Sequence, residues 1–304
     1  MGIRSVKRLV KARPTVEGAG VRLRRAFGIG ATADTDPFLL LDDFRNELPE
    51  DYLAGFPWHP PRGIETITYV LAGTVEHGDS MGNRGTIGAG DIQWMTAGRG
   101  MIHQEMPKGE PGGRMHGFQL WANLPSALKM TAPRYQDVKA ADVPLAREDD
   151  GTEVRVVCGG YRGMRGPVED VAARPVYLDV SVPAGKRKTL PVETTSHAFA
   201  YVFAGEGKFC NASEPLAVPT EPARWSDVTP PSAADNRTLV LFDRGDEVEV
   251  QAGEEGVRFL LVSGQPLGEP VAWYGPVVMN TQEELRHAFE QLDAGTFLNP
   301  DAKR

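Results

Sequence analysis

The chain has 304 residues, which exceeds the usual size of one hydrophobic core and predicts two domains. Its composition, 41% hydrophobic and 24% charged, is that of a folded protein, and its net charge of −8 argues against general binding to nucleic-acid phosphate. With two cysteines, no apolar run of membrane-spanning length and no signal-peptide pattern, the sequence predicts a cytoplasmic protein that neither enters a membrane nor depends on disulfides.

Short segments rich in β-branched and aromatic residues recur along the chain and predict β-strands. Each is bounded by Gly, Pro or Asp, and their regular spacing is typical of β-sandwiches and barrels, not of alternating strands and helices. The segments lie at 65–73, 90–98, 116–124, 152–160, 175–183, 197–205, 237–245 and 257–266. The sequence therefore predicts an all-β fold.

Two of these segments repeat each other. ETITYVLAGTVEHGD at 65–79 and HAFAYVFAGEGKFCN at 197–211 both contain an aromatic strand, then Ala-Gly, then a second strand. A repeat over so long a distance indicates a duplicated domain and not a short solenoid unit. The polar, Pro-bearing stretch around 125–150 is interpreted as the connector. We therefore predict an N-terminal domain at 1–135 and a C-terminal domain at 136–304.

One helix is predicted near the end of the chain. Thr281 and Glu284 form a capping box, in which each side chain satisfies a free backbone N–H group of the first turn. Apolar residues then recur with helical period at Leu285, Ala288, Phe289 and Leu292. Gly295 is a typical stop signal. This pattern predicts a short helix that packs one face onto a sheet.

Histidine is scarce, and two histidines lie where they could carry chemistry. His103 and Glu105 are two residues apart, so on a strand both side chains point to the same face. Imidazole plus carboxylate suits iron, manganese, nickel, copper or zinc. His59 shares a face with Glu65 if one strand runs unbroken between them, although two prolines follow His59. The spacing alone leaves a metal site and a structural role both open.

The other histidines have simpler interpretations. His116 opens a strand and is a candidate to orient a metal ligand through a hydrogen bond. His77 and His287 are predicted to lie on the surface, in a turn and on the helix. His197 opens the repeated segment, where no His-x-His or His-x-Glu follows, so the second half is predicted to lack a metal site.

Several further side chains are interpreted as structural. Gly98 and Gly100 permit a sharp loop before His103. The sequence predicts core or pocket-wall positions for Trp94, Met95 and Phe118, and apolar strand positions for Cys158 and Cys210.

Several long segments resemble the pirin family. The most specific is GFPWHPPRGIETITYVLAGTVEHGDSMGNRGTIGAGDIQWMTAGRGMIHQEMP at 55–107, and the segments at 36–44, 116–125 and 269–291 extend the likeness through nearly the whole chain. The resemblance implies an all-β protein of two tandem cupin (jelly-roll-like) β-barrels with a short C-terminal helix. It also implies one metal, held in the N-terminal barrel only.

The ligands that the resemblance implies are three histidines and a glutamate. His59, His103 and Glu105 match the family positions, but Pro61 stands where the remaining histidine is expected, and proline has no donor atom. Two histidines and one carboxylate are still the minimal ligand set of non-haem iron enzymes. The resemblance thus implies one divalent metal, Fe(II) first, with Ni, Cu, Mn or Zn as alternatives. Glu65 falls where many other cupins place a ligating glutamate and is a candidate substitute ligand.

Two functions from different classes follow from the resemblance. The first is a dioxygenase that opens flavonols such as quercetin with O2, with Glu105 or Glu65 as the base that takes the flavonol hydroxyl proton. The alternative is a metal- or redox-responsive regulatory protein that binds a transcription factor or a metabolic enzyme. A metal-free scaffold is the third hypothesis. The predicted partners are a small aromatic substrate or a protein, with no direct nucleic-acid contact and no membrane.

Overall fold

The computed structural model describes residues 2–209 and 233–298; Cys210 lies outside the described residues. The strands, in chain order, are β1 (Val6–Lys11), β2 (Arg13–Glu17), β3 (Val21–Phe27), β4 (Phe38–Asp43), β5 (Phe56–His59), β6 (Ile64–Ala72), β7 (Thr74–Asp79), β8 (Arg84–Ile87), β9 (Ile92–Thr96), β10 (His103–Lys108), β11 (His116–Asn123), β12 (Arg134–Val138), β13 (Leu145–Arg147), β14 (Glu153–Cys158), β15 (Gly160–Tyr161), β16 (Met164–Arg165), β17 (Val176–Val182), β18 (Arg187–Pro191), β19 (His197–Phe209), β20 (Ala234–Asp235), β21 (Thr238–Phe242), β22 (Glu247–Gly264), β23 (Ala272–Tyr274) and β24 (Val277–Met279). The α-helices are α1 (Thr32–Thr35) and α2 (Gln282–Asp293), and short 3-10 helices span Pro49–Asp51, Ser126–Leu128 and Ala140–Asp142. The predicted all-β class is confirmed.

The described chain forms two compact units, neither of which is one continuous stretch of sequence. The N-terminal unit contains the described residues of 13–143, 167–174 and 267–304, and the C-terminal unit contains those of 1–12, 144–166 and 175–266. The predicted connector holds β12 and β13, and a unit boundary falls within it. The domain division at 135/136 stays a prediction, since the compact units also exchange the first and last segments of the chain.

The N-terminal unit is a sandwich of two antiparallel sheets. The larger has the strand order β12-β9-β6-β11-β4-β3-β2, and the smaller has the order β5-β10-β7-β8. Apolar side chains from both sheets form a shared core that includes Leu23, Val70, Val75 and Ile87. A second apolar cluster joins Ile64 and Met95 of the larger sheet to residues of the last segment, among them Val278.

The predicted C-terminal helix is confirmed as α2. Thr281 Oγ1 accepts a hydrogen bond from the backbone N–H of Glu284 at 3.1 Å, and the Glu284 carboxylate accepts one from the Thr281 N–H at 2.9 Å. Leu285 and Ala288 are buried and pack with the short β23–β24 hairpin, as the helical spacing predicts. Gly295 follows with a φ of +69°, which suits glycine at a helix end.

The C-terminal unit is built on one large sheet in the order β1-β21-β19-β22-β17-β14-β13, with β18 and β20 attached to the long strands β22 and β19. Most of these strands contribute apolar side chains to one large core cluster among the described residues. Cys158 is buried at the end of β14, in agreement with its predicted apolar role. Within the described residues of both units, no helix is long and apolar enough to cross a membrane.

Candidate metal centre

Two histidines and a glutamate from adjacent strands converge in the N-terminal unit. β5 and β10 pair antiparallel with His59 directly opposite His103, and the two ring centroids are 4.3 Å apart. Glu105 lies two residues further along β10 and points to the same face. One ligand atom from each of the three residues lies within 4.8 Å of the other two. The structure therefore brings the three predicted ligands together.

A glycine turn delivers His103 to this point. Gly98 has a φ of +51°, and a Cβ atom there would lie 2.2 Å from the carbonyl oxygen of Thr131. No other residue fits so close an approach, so the chain can turn sharply between β9 and β10 only because this position is glycine.

The Glu105 carboxylate is held by side chains from the larger sheet. Gln119 Nε2 donates a hydrogen bond to Glu105 Oε2 at 3.1 Å. Thr68 has one hydroxyl proton, which it can donate to Glu105 Oε1 at 2.9 Å or to Gln119 Oε1 at 2.6 Å. Glu105 is only 5% exposed, so these contacts compensate for lost hydration and fix the orientation of the carboxylate.

Thr68 and Gln119 belong to a row of polar residues that crosses the larger sheet. Each member is the direct register partner of the next, and all lie on one face of the sheet, with Asp137 exposed at its edge. In sheet order this polar row is Arg25, Asp42, Gln119, Thr68, Gln93 and Asp137. The row places paired polar groups, among them Thr68 and Gln119, beside the buried carboxylate of Glu105.

The ring nitrogens of the two histidines are available for metal binding. Burial lowers the pKa of His103 well below its usual value, and the nearby rings of His59 and His77 lower it further, so its imidazole is neutral. His59 Nδ1 lies 2.9 Å from the carbonyl oxygen of Pro57, which places the proton on Nδ1 and leaves the Nε2 lone pair available. The buried Nδ1 of His103 has no hydrogen-bond partner among the described residues. Two imidazoles that each have a ring nitrogen free of partners in the described part of the chain, together with one carboxylate, therefore fit a divalent transition metal.

The prolines after His59 separate it from Glu65. β5 ends at His59 and β6 begins at Ile64, so the unbroken strand that would put His59 and Glu65 on one face does not form. Glu65 lies on the opposite face of β6 from Thr68, and its Oε1 accepts a hydrogen bond from Thr96 at 2.8 Å. Burial raises the pKa of Glu65. Glu65 is outside the His59–His103–Glu105 cluster, and the prediction that it replaces the ligand lost at Pro61 is not supported.

The loop that follows His59 is anchored to the last segment of the chain by Arg62. This side chain is 1% exposed and donates hydrogen bonds to the carbonyl oxygen of Arg99 at 2.7 Å, to Gln291 Oε1 at 2.7 Å and to the carbonyl oxygen of Phe297 at 2.8 Å. Its guanidinium carbon also lies 4.0 Å from the centroid of the Phe297 ring. Burial lowers the pKa of Arg62 to about 10. The loop that carries His59 is thus fixed by contacts with α2 and the residues after it.

His77 is buried, and its predicted surface position is wrong. It lies on β7 directly opposite Glu105 of β10, and its Nε2 is 3.0 Å from Gln93 Nε2. The neighbouring strand has Gly85 at this point, where a Cβ atom would lie 2.6 Å from His77 Nε2. Val75, His77 and Asp79 alternate along β7 and so share one face of the strand. The apolar Val75 on that face was the sequence signal that His77 points inward.

The remaining predicted residues lie in structural positions. His116 Nε2 is 3.9 Å from Asp43 Oδ1, His287 is exposed on α2, and His197 is half-buried at the start of β19. Trp94, Met95 and Phe118 are fully buried in the N-terminal unit, as core positions.

A cavity of about 600 Å³, called here the main cavity, opens beside the cluster. The aromatic residues that form its walls were not predicted from the sequence. His59, Glu105 and Gln119 line it, and its aromatic walls are Trp58, Trp121 and Trp273. The rings of Trp121 and Trp273 are 5.8 Å apart, although the two residues are distant in sequence. Trp58 directly precedes His59, which was the one available local signal.

Charged side chains complete the wall of the same cavity. Arg25 donates to both oxygens of Asp42, at 2.8 and 2.7 Å, and forms an ion pair with Glu17 at 2.8 Å. Burial raises the pKa of Asp42 to about 6, although Arg25 opposes this shift. The cavity thus combines flat aromatic walls with carboxylates that can accept hydrogen bonds.

Comparison with known proteins agrees with this architecture. The family model described as Pirin matches residues 20–122, and the one described as Pirin C-terminal cupin domain matches residues 177–298. A pirin-like protein of Caulobacter vibrioides is 42% identical over 298 residues, which cover 98% of this chain and 100% of the relative. Human pirin is 37% identical, covering 92% of this chain and 89% of its own.

A solved structure gives the same result for the fold. The crystal structure of a quercetin 2,3-dioxygenase from Acinetobacter baumannii is 31% identical and superimposes with a TM-score of 0.83, covering 97% of this chain and 99% of the other. The prediction of two cupin barrels with a short C-terminal helix is therefore confirmed. On the matched models and relatives, the chain belongs to the pirin family.

Proposed function

We propose that this protein is a metal-dependent dioxygenase that opens flavonols such as quercetin with O2 at one Fe(II) ion in the N-terminal unit. The observation that carries the proposal is the cluster of His59, His103 and Glu105, of which His59 and Glu105 line a cavity of about 600 Å³ with tryptophan walls. A relative of known structure that is 31% identical is named as a quercetin 2,3-dioxygenase, which supports the same reaction class.

His59, His103 and Glu105 would hold the metal. A bound divalent ion acts as a Lewis acid toward the deprotonated hydroxyl of the substrate. Because Pro61 supplies no donor, the protein offers three ligands, which is the minimal set for this class of iron site and leaves positions open. Ni, Cu, Mn and Zn accept the same donors and are the alternative metals.

The main cavity would bind the flavonol, and a carboxylate in its wall would accept the flavonol hydroxyl proton. Trp58, Trp121 and Trp273 offer flat apolar surfaces that match a planar ring system and exclude water from it. Asp42 offers a hydrogen-bond acceptor to phenolic hydroxyl groups. Glu105 lines the cavity and is the carboxylate placed to accept the flavonol hydroxyl proton, whereas Glu65 does not line it.

Aerobic turnover of quercetin tests this proposal. Protein purified without chelator and loaded with Fe(II) should consume quercetin and O2 in equal amounts, with metal bound near one per chain. Glu105→Ala should lose both the metal and at least about 100-fold in turnover, because it removes a ligand and the base. Glu65→Gln is the matched control. Glu65 lies on the face of β6 opposite to Thr68 and outside the ligand cluster, so this variant should retain the metal. A loaded protein that leaves quercetin intact would contradict the proposal.

A metal- or redox-responsive regulatory protein is the second candidate, and Pro61 is the observation that favours it. A site with one ligand fewer binds metal more weakly, and a binding protein needs no turnover. This function predicts bound metal without O2 consumption, together with a protein partner whose affinity depends on metal. A cytoplasmic location and a protein partner are part of this proposal.

A further inference from the structure

A second, small cavity lies inside the sandwich of the N-terminal unit, beside Glu105. Its volume is about 20 Å³, enough for one molecule of the size of water or a diatomic gas. It is lined by Phe44, Phe56, Thr68, Val75, Glu105, Pro107 and Gln119. Phe44, Phe56, Glu105 and Gln119 also line the main cavity, so these side chains form the partition between the two spaces.

The surface that this side cavity presents is almost entirely apolar, although three polar residues are among those that line it. Phe44, Phe56, Val75 and Pro107 offer only hydrocarbon surface. The polar wall consists of Thr68, Gln119 and Glu105, which are hydrogen-bonded to one another. A buried water needs two to four polar partners, whereas apolar cavities of this kind stay dry and accept apolar atoms or gases.

We infer that the side cavity is a binding site for molecular oxygen, the second substrate of the proposed reaction. This inference rests on the proposed dioxygenase function. O2 is small and apolar, so it partitions from water into a dry hydrocarbon pocket. The site adjoins Glu105 and is separate from the tryptophan walls. Oxygen can therefore be bound beside the Glu105 carboxylate at the same time as the main cavity holds the flavonol.

Xenon uptake tests the site independently of catalysis. Crystals of the wild-type protein under xenon pressure should show a xenon atom bounded by Phe44, Phe56 and Val75. An ordered water at this position in the same crystals without xenon, or no xenon density after pressurisation, would overturn the inference. The xenon experiment does not depend on whether the protein cleaves quercetin.

A cavity-filling variant tests the role in the reaction. Val75→Ile adds one methylene to the cavity wall and should raise the KM for O2 by roughly fivefold while leaving the KM for quercetin unchanged. Val70→Ile is the matched control, because Val70 belongs to the same apolar core but does not line the side cavity. Thermal melting of both variants establishes that each is folded.

The outcomes separate the inference from the proposed function. Normal quercetin turnover with the same O2 dependence in wild type and Val75→Ile would overturn the oxygen site and leave the dioxygenase function standing. An equal rise in both variants would also overturn it, because the effect would then come from general strain in the core. Absence of turnover in wild type would refute the dioxygenase function, and the xenon result would still decide whether the cavity takes an apolar gas.

Discussion

The same row of sheet positions is polar in the N-terminal unit and apolar in the C-terminal unit. In the first, the row through Thr68 contains Asp42, Gln119 and Gln93; in the second, the corresponding row passes through Ala200, the residue that matches Thr68 in the repeated segment. Its members in sheet order are Val156, Leu178, Leu261, Ala200, Val240 and Leu9. The register is preserved position by position, whereas the chemistry is not.

This difference shows that the fold does not decide where the site lies. A duplicated framework can carry a functional site in one copy and a dry core in the other, because only side chains at equivalent positions need to change. In the N-terminal unit the buried polar groups are paired with one another and with Glu105, which offsets the cost of their burial. In the C-terminal unit the same positions contribute apolar contacts to its large core cluster.

The largest expected effect comes from placing a polar residue in the apolar row. Leu261 is 1% exposed and lies between Ala200 and Leu178, which offer no side-chain hydrogen-bond partner. Leu261→Gln should lower the free energy of unfolding by about 4 kcal/mol, since it removes apolar burial and buries an unpaired amide. Urea unfolding measures the loss, with Leu261→Met as the size-matched control. A loss below about 1 kcal/mol would show that this row tolerates polarity.

A smaller effect on the free energy of unfolding is expected from the buried carboxyl of Asp42, which holds the position in the polar row that Leu178 holds in the apolar row. Its folded-state pKa of about 6 lies above its ordinary value of 3.8, so the folded protein binds the proton more tightly than the unfolded chain does. Asp42 therefore destabilises the fold above pH 6, and this penalty is relieved as the pH falls toward 4. The groups that act on it are Arg25, Glu17 and Asp43.

The measurement is the free energy of unfolding of wild type and Asp42→Asn between pH 4 and 7.5. Relative to the variant, wild type should lose about 3 kcal/mol as the pH rises through this window, since about two pKa units separate the folded and unfolded states. Parallel pH profiles would show that Arg25 fully compensates the buried charge.

The third expected effect concerns metal affinity. Leu261 holds the position in the apolar row that corresponds to Gln119 in the polar row. Gln119→Leu therefore makes this position leucine in both units and removes the hydrogen-bond donor to Glu105 Oε2. Metal affinity should fall by about 10- to 100-fold, because side chains that orient a ligand carry effects of this size. Metal titration measures it, and Gln136→Leu is the control, since the Gln136 amide donates to Glu169 instead. Equal affinities for the two variants would contradict the role of the polar row.

The sequence was sufficient to predict eight of the strands and the C-terminal helix, and the resemblance to the pirin family supplied His59, His103 and Glu105 as metal-binding candidates. Strand alternation is local, so the sequence could place His103 and Glu105 on one face, and a capping box lies within four residues, so Thr281 could be recognised as the helix start. Glu65 could not be placed from the sequence, because its facing depends on whether the chain stays extended through two prolines. The walls formed by Trp121 and Trp273 depend on a contact between residues far apart in sequence, which no local pattern reveals.

The hydrogen bonds of Arg62 also bear on how the protein is made. Gln291 and Phe297 follow Arg62 by 229 and 235 residues, so both are translated long after the N-terminal strands. Until they leave the ribosome, the guanidinium lacks two of its three hydrogen-bond partners, and the loop after His59 lacks its contacts with the last segment of the chain. The contacts that fix the loop after His59 are therefore completed only after translation, when the last segment of the chain folds against the N-terminal strands.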